Sequence, residues 1–287
     1  MRSNRSSQCL FGMIVFTLVT TFVAHAQTPT PTPTPKPTPS LEREFFKNIL
    51  HDQKSIWTAP LHLSASDAKW VIPSSIGLMA LFTTDRITGD EILESNRQVD
   101  MSRRISYAGS AYGIGAVVAT FYLVGRKNHD YRARETGVLA AEAVVDSAII
   151  DGVLKAATQR ARPLDGVERS EFFDGGSSFP SGHSTQAWAV ATVIASEYKH
   201  RKAVQIAAYG IATAVSVSRF TGHNHYISDV LAGSALGFGI GKFVYSAHHR
   251  EPADPDDGAI TKSAWPMIVP QYSRQARQYG VALTWNF

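Results

Sequence analysis

The sequence predicts an all-α protein, a helical bundle closed by a short C-terminal β-hairpin. Two observations carry this expectation. Between residues 41 and 250 apolar residues recur at helical spacing with almost no strand-like alternation, and beyond residue 257 the period changes to two. A third observation bounds the size. The chain has 287 residues, 44% hydrophobic and 18% charged, enough for one large core and too apolar for a disordered polyelectrolyte. A net charge of +4 is small and scattered, so a nucleic-acid partner is not expected. The only cysteine, Cys9, excludes a disulfide framework and a Cys-based zinc site.

The ends come first. Residues 1–26 read as a signal peptide: Arg2 and Arg5 precede an apolar run from Leu10 to Val23, and Ala24-His25-Ala26 has the small-x-small form of a cleavage site. The expected address is therefore exported, in the periplasm or cell envelope. Residues 27–40 are a Thr/Pro-rich linker, semi-rigid because repeated prolines hold an extended conformation. Residues 251–287 form a tail. In it Trp265, Met267 and Val269, then Tyr279, Val281, Leu283, Trp285 and Phe287, alternate with mostly polar or small residues, which predicts two strands joined through Ser273 to Arg277. The aromatic last residue hints at outer-membrane association, but one hairpin cannot close a barrel, and a hairpin packed on the domain's own surface is the stronger reading.

The helical segments follow in order. Leu41 to Trp57 is amphipathic, Ile105 to Gly125 is uncharged, and Val138 to Lys155 is apolar but interrupted by Glu142, Asp146 and Asp151. Ser184 to Tyr198, Ala203 to Ser218 and Tyr226 to Tyr245 complete the set. Ile105 to Gly125 is long enough to span a bilayer, but acids at bilayer depth are costly, and a mean hydropathy of −0.10 favours a soluble or peripheral bundle over an integral one. Gly233, Gly237 and Gly241 lie four apart along one helix face; they fail the phosphate-loop pattern and fit close helix–helix approach.

Three short motifs carry chemistry. Lys155 is followed after six residues by Arg162-Pro163, then Pro180-Ser181-Gly182-His183, then Ser218-Arg219 with His225 and Asp229. Chemically this is three permanent cations, two histidines and one carboxylate. Lys and Arg bind phosphate, and a helix starting at Pro-Ser-Gly aims free N–H groups at an anion. A His with an Asp at i+4 shares a helix face, so the carboxylate can hold one ring nitrogen and leave the other nucleophilic. Singly, each piece has a plain structural explanation: a Lys155–Asp151 pair, a helix end, a buried hydrogen bond. Together those explanations leave the order of eleven specified positions unexplained.

On these residues the sequence resembles the type 2 phosphatidic acid phosphatase family, which shares its core with bacterial non-specific acid phosphatases and vanadium haloperoxidases. The family pattern Lys-x6-Arg-Pro, Pro-Ser-Gly-His, Ser-Arg-x5-His-x3-Asp is filled without departure by Lys155, Arg162, Pro163, Pro180, Ser181, Gly182, His183, Ser218, Arg219, His225 and Asp229. The resemblance implies a helical bundle of that type over about residues 60 to 247, and a phosphoric ester hydrolase. It implies that His225 attacks phosphorus to give phosphohistidine, with Asp229 holding its other nitrogen. His183 would protonate the leaving oxygen and later activate water. Lys155, Arg162 and Arg219, with the Ser181 hydroxyl and the Gly182 N–H, would cradle the equatorial oxygens. No cofactor and no metal is implied, because fixed cations take the metal's place. A metal at His223-x-His225 with His183 is disfavoured, since the nucleophile needs a free nitrogen; His223 is read as a polar residue near the pocket mouth.

Substrate choice is expected from the loop between the first two motifs, where Phe172 and Phe173 would contact an apolar leaving group and the acids around them would disfavour polyanions. The expected partner is a phosphorylated lipid or small molecule, including pyrophosphates, with association at a membrane surface; the sequence does not set the oligomeric state. Two alternatives come from other classes. One is a vanadate-dependent haloperoxidase, in which the same cradle holds vanadate. The other is a non-catalytic envelope protein that binds anions.

Overall fold

The computed structural model describes residues 41–62, 64–90, 95–163 and 170–250, and the two strands 267–273 and 278–284. The expected signal peptide and Thr/Pro linker, the stretch 251–266 and part of the loop after Pro163 lie outside the described residues. Eight α-helices occupy the described part of 41–250: α1 (Leu41–Thr58), α2 (Ala65–Asp90), α3 (Asn96–Ser106), α4 (Ala111–Lys127), α5 (Tyr131–Thr158), α6 (Gly182–Glu197), α7 (Lys202–Thr221) and α8 (Ile227–His248). The protein is an all-α bundle, as its periodicity predicts.

Local chemistry sets the helix boundaries. Ser110 and Asp130 are extended N-caps whose side chains accept from the amides of Gly113 and Ala133, starting α4 and α5. The uncharged run Ile105 to Gly125 is therefore not one helix. The backbone passes through a 3-10 turn at Tyr107–Gly109 and restarts at the Ser110 cap. A Cβ on Gly109 would sit 2.4 Å from Val215 Cγ1, so the turn presses against α7. Helices α2 and α3 have no counterpart among the segments picked out by periodicity. In α2, Pro73 interrupts the pattern, and Val71, Ile72, Ile76 and Met79 are exposed.

Helix α6 is the central element and packs against α5, α7 and α8. Leu139, Ala143 and Ile150 of α5, Val190 and Val193 of α6, Val215 of α7 and Ile240 and Val244 of α8 build the core. The α6–α8 crossing is close because of the three glycines. A Cβ would fall 2.7 Å from the Ser181 carbonyl oxygen at Gly233, 2.1 Å from that of Thr185 at Gly237, and 2.4 Å from that of Ala189 at Gly241. Four-residue spacing on α8 thus meets four-residue spacing on α6.

The core also holds acids. Asp52, Glu142 and Asp146 are fully buried. Asn48 Nδ2 donates to Glu142 (2.9 Å), Gln53 Nε2 donates to Asp146 (2.8 Å), and His248 Nε2 pairs with Asp52 at 2.8 Å. These contacts explain how α5 can carry acids and still pack into the core.

The surface is less ordinary. Ile76 and Met79 of α2, Tyr112 and Leu123 of α4, and Ile206 and Ile211 of α7 are all more than half exposed. These exposed apolar side chains lie on three different helices. Among the described helices, Ile227–His248 is long and apolar enough to cross a membrane; so is the pair Asn96–Gly109 and Ala111–Lys127 if the two, bent by 41°, act as one. At the C-terminus β1 (Met267–Ser273) and β2 (Gln278–Thr284) pair antiparallel, with Met267 opposite Thr284 and Ser273 opposite Gln278.

Candidate active site

The three motifs meet at one end of the bundle. Lys155 lies in the last turn of α5, which ends because Gln159 is left-handed (φ 44°), and Arg160 and Arg162 follow in the returning chain. Ser181 caps α6 and is fully buried; its amide donates to the Asp229 carbonyl (3.1 Å), which fixes the start of α6 on the first turn of α8. Arg219 lies in the last turn of α7, and its carbonyl accepts from the amides of Asn224 (3.1 Å) and His225 (3.2 Å), folding the α7–α8 link back over it. Asp229 accepts from the Tyr226 amide (3.0 Å) as part of the α8 cap.

His225 is held differently from the expectation. Its Nδ1 is 2.8 Å from the Ser178 carbonyl, a hydrogen bond, and 3.7 Å from Asp229 Oδ2, beyond hydrogen-bond length. A carbonyl can only accept, so Nδ1 carries the proton and Nε2 is the unprotonated nitrogen. Asp229 supplies charge at one remove, and its Oδ2 accepts from the Ser178 hydroxyl (2.5 Å), bracing the residue whose carbonyl holds the ring.

Sequence reasoning missed the residue at the centre of this support. Arg160 is fully buried; Nη1 donates to Asp229 Oδ1 (2.6 Å) and Ser228 Oγ (2.7 Å), and Nη2 to Asp85 Oδ2 (2.7 Å) and Ser170 Oγ (2.7 Å). The rings of Tyr226, Phe172 and Phe82 stand 4.5, 4.9 and 5.0 Å from its guanidinium carbon. The available signal was a second arginine two residues before Arg162; Asp85, from distant α2, gave none.

The permanent cations act on both histidines. Burial pushes His183 down to about 4, and Arg219, His225, Arg162 and Lys155 push it the same way. Burial also lowers His225, with Asp229 opposing. Burial alone would raise the Asp229 carboxyl, but His225, Arg160 and the Ser178 hydroxyl outweigh it and hold it below the ordinary range. Burial, then Arg162, brings Arg219 down to about 10. The site is thus strongly electropositive, with two neutral imidazoles at pH 7. The Lys155 ammonium donates to the Pro180 carbonyl, and a Cβ on Gly182 would meet Asp151 Oδ2 at 3.3 Å.

A cavity of about 290 Å³ opens on this end, lined by His183, Arg219, Gly222, Asn224 and the segment Val99, Arg103, Ser106, Tyr107 and Ser110. The mouth is therefore built by α3 and its 3-10 turn. The expected substrate-shaping residues stand elsewhere: Phe172 packs edge-on against Phe82 (5.2 Å) as a wall of the Arg160 cage, and Phe173 is 78% exposed. His223 is buried, its backbone left-handed (φ 54°), and is not among the lining residues.

Residues 136–253 match the family model of the PAP2 superfamily, a span that contains every one of these motifs. Over this stretch the chain is similar to the PAP2 superfamily. The PAP2 match covers all of α6, α7 and α8. Over 125 residues the chain is 35% identical to phosphatidylglycerophosphatase B of Bacillus subtilis, covering 40% of this chain and 59% of that protein. Over 118 residues it is 31% identical to lipid A 1-phosphatase of Porphyromonas gingivalis, covering 40% of this chain and 25% of that one. The chain thus spans between a quarter and three fifths of these relatives' lengths. The crystal structure of a transmembrane PAP2-type phosphatidylglycerolphosphate phosphatase from Bacillus subtilis is similar with a TM-score of 0.46 and 21% identity, over 71% of this chain and 94% of that one.

Proposed function

We propose that the protein is a metal-independent phosphatase that hydrolyses phosphomonoesters of lipids, exported and working at a membrane surface, through a phosphohistidine on His225. The observation that carries this reading is the tautomer of His225: the Ser178 carbonyl at 2.8 Å fixes the proton on Nδ1 and frees Nε2 beside the cations. In-line attack by Nε2 places positive charge on the ring, and Asp229 at 3.7 Å stabilises it. His183 donates to the leaving oxygen and then takes a proton from the attacking water. Lys155, Arg162 and Arg219, with Ser181 and the Gly182 N–H, hold the three peripheral oxygens and need no cofactor for that task.

Lipid substrates are supported by the relatives' names, which specify lipid phosphates, and by the exposed Tyr107 at the cavity mouth.

The test is phosphate release from short-chain phosphatidic acid and from an aryl phosphate, in EDTA and below the melting temperature, with His225→Ala as control. Labelled substrate quenched in base should leave label on the wild-type protein that is released by acid, as a phosphoramidate is. EDTA-sensitive turnover, or turnover by His225→Ala, refutes the mechanism; a preference for the aryl phosphate refutes the lipid assignment. Vanadate should inhibit. Bromide oxidation switched on by vanadate would instead establish the haloperoxidase alternative.

A further inference from the structure

The helices that converge on the phosphate cradle also converge at their other ends. Helix α5 begins near Glu135, α6 ends at Glu197, and α8 is capped at its C-terminus by His249. These residues lie 14 to 20 positions along their helices from His183, Lys155 and Asp229, so about 20–30 Å from the catalytic end.

Their polar atoms face one another. His249 Nδ1 is 3.4 Å from Glu135 Oε1 and 3.2 Å from Glu197 Oε2, and all three atoms lie within 4.8 Å of each other. The two carboxylate side chains are 1% and 4% exposed, and the imidazole 23%. Oε2 of Glu197 is buried without a hydrogen bond. The imidazole plane is set by Tyr245, stacked on it at 4.5 Å with a 14° tilt.

Hydrogen bonding leaves Glu197 Oε2 unsatisfied in this cluster, because the one proton that Nδ1 can carry serves at most one of the two carboxylate oxygens. The Arg250 amide already donates to Glu135 Oε1 (2.8 Å), and Arg132 Nε approaches the other oxygen of Glu197, Oε1, at 3.6 Å from a side chain 41% exposed. A cation between the three atoms would compensate both buried carboxylates. Two of the three separations, 3.4 and 3.2 Å, suit one: bonds of about 2.0–2.1 Å in tetrahedral geometry place neighbouring ligand atoms about 3.3 Å apart.

We propose that Glu135, Glu197 and His249 form a divalent metal site of the zinc class that ties the ends of α5, α6 and α8 together at the pole opposite the phosphate cradle. One nitrogen and two carboxylate oxygens suit Zn²⁺ or Co²⁺ better than the all-oxygen preferences of Ca²⁺ or Mg²⁺. Water fills the fourth position from the exposed side of His249. The metal's role is structural and separate from the metal-free chemistry at His225.

The experiment uses the full chain, stripped with EDTA and then dialysed against micromolar Zn²⁺ or Co²⁺. The expected result is one metal per chain, a visible d–d absorption of tetrahedral Co²⁺, and a melting temperature higher by about 5 °C. Glu197→Gln and His249→Gln should lose the metal and the absorption while keeping the helical circular dichroism and phosphate release. His223→Gln should keep the metal. Wild-type protein that takes up no stoichiometric metal overturns the site whatever the variants do; so does equal metal in wild type and Glu197→Gln.

Discussion

Arg160 and Asp229, sixty-nine residues apart, form a fully buried pair with Nη1 2.6 Å from Oδ1. The second guanidinium nitrogen reaches Asp85 at 2.7 Å, so one arginine joins α2 to the first turn of the helix that follows His225. Two carboxylates share one cation in a site free of water-exposed atoms. Removing the cation would break both pairs at once.

Arg160→Lys should therefore impair both folding and turnover. A single ammonium cannot serve four acceptors in two directions. The expected loss is roughly 3–5 kcal/mol of stability from the broken pairing, and on the order of 10²-fold in kcat from displacement of Asp229 and His225. Chemical denaturation and steady-state kinetics at a temperature where the variant is folded would measure the two separately. Unchanged kcat would show that Arg160 does not position the nucleophile.

The low pKa of His183 should rise when phosphate binds. Burial first, then the cations around the ring, depress it to about 4, so the free imidazole is neutral at pH 7. A bound phosphate dianion offsets those cations and should raise the value by about one unit or more. NMR titration of the His183 ring with and without phosphate checks this. An unmoved titration would remove His183 as the proton donor to the leaving group.

Glu142→Gln should stabilise the protein, and only at higher pH. Burial pushes the Glu142 carboxyl up to about 7, with Asn48 opposing. Because the folded value lies above the unfolded one, the stability linked to its protonation is present below about 4.5 and is lost as pH rises through about 7. Gln keeps an oxygen for Asn48 and carries no charge. Thermal melts should show no gain at pH 5 and a gain of roughly 1–3 kcal/mol at pH 8; a gain that does not vary with pH would point to packing instead.

Gly237→Ala tests the α6–α8 crossing. The added methyl carbon would lie 2.1 Å from the Thr185 carbonyl oxygen, a backbone atom that cannot move without its helix. A loss of roughly 2–4 kcal/mol is expected. Gly239 has open space at the same point, so Gly239→Ala should be neutral or slightly stabilising. Equal effects from the two would mean that the helices do not cross as described.

The sequence by itself determined the helical class, the hairpin and the residue types of the candidate site. Periodicity reports which face of a helix is apolar, and short motifs carry residue types at fixed local spacing. Lys155, Arg162, His183, Arg219, His225 and Asp229 lie within motifs of that kind, and the three glycines of α8 revealed a contact because their spacing repeats one turn. Tertiary structure alone decided what supports them. Asp85 reaches Arg160 across 75 residues, the Ser178 carbonyl takes the hydrogen bond expected of Asp229, and α3 lines the cavity that the sequence expects the loop of Phe172 and Phe173 to border. The break at Ser110 likewise needed the turn at Gly109 to meet Val215. The physical reason is common to all four. A backbone carbonyl has no residue signature, and a contact between distant segments leaves no period in the chain. Such partners become visible only when the helices are packed.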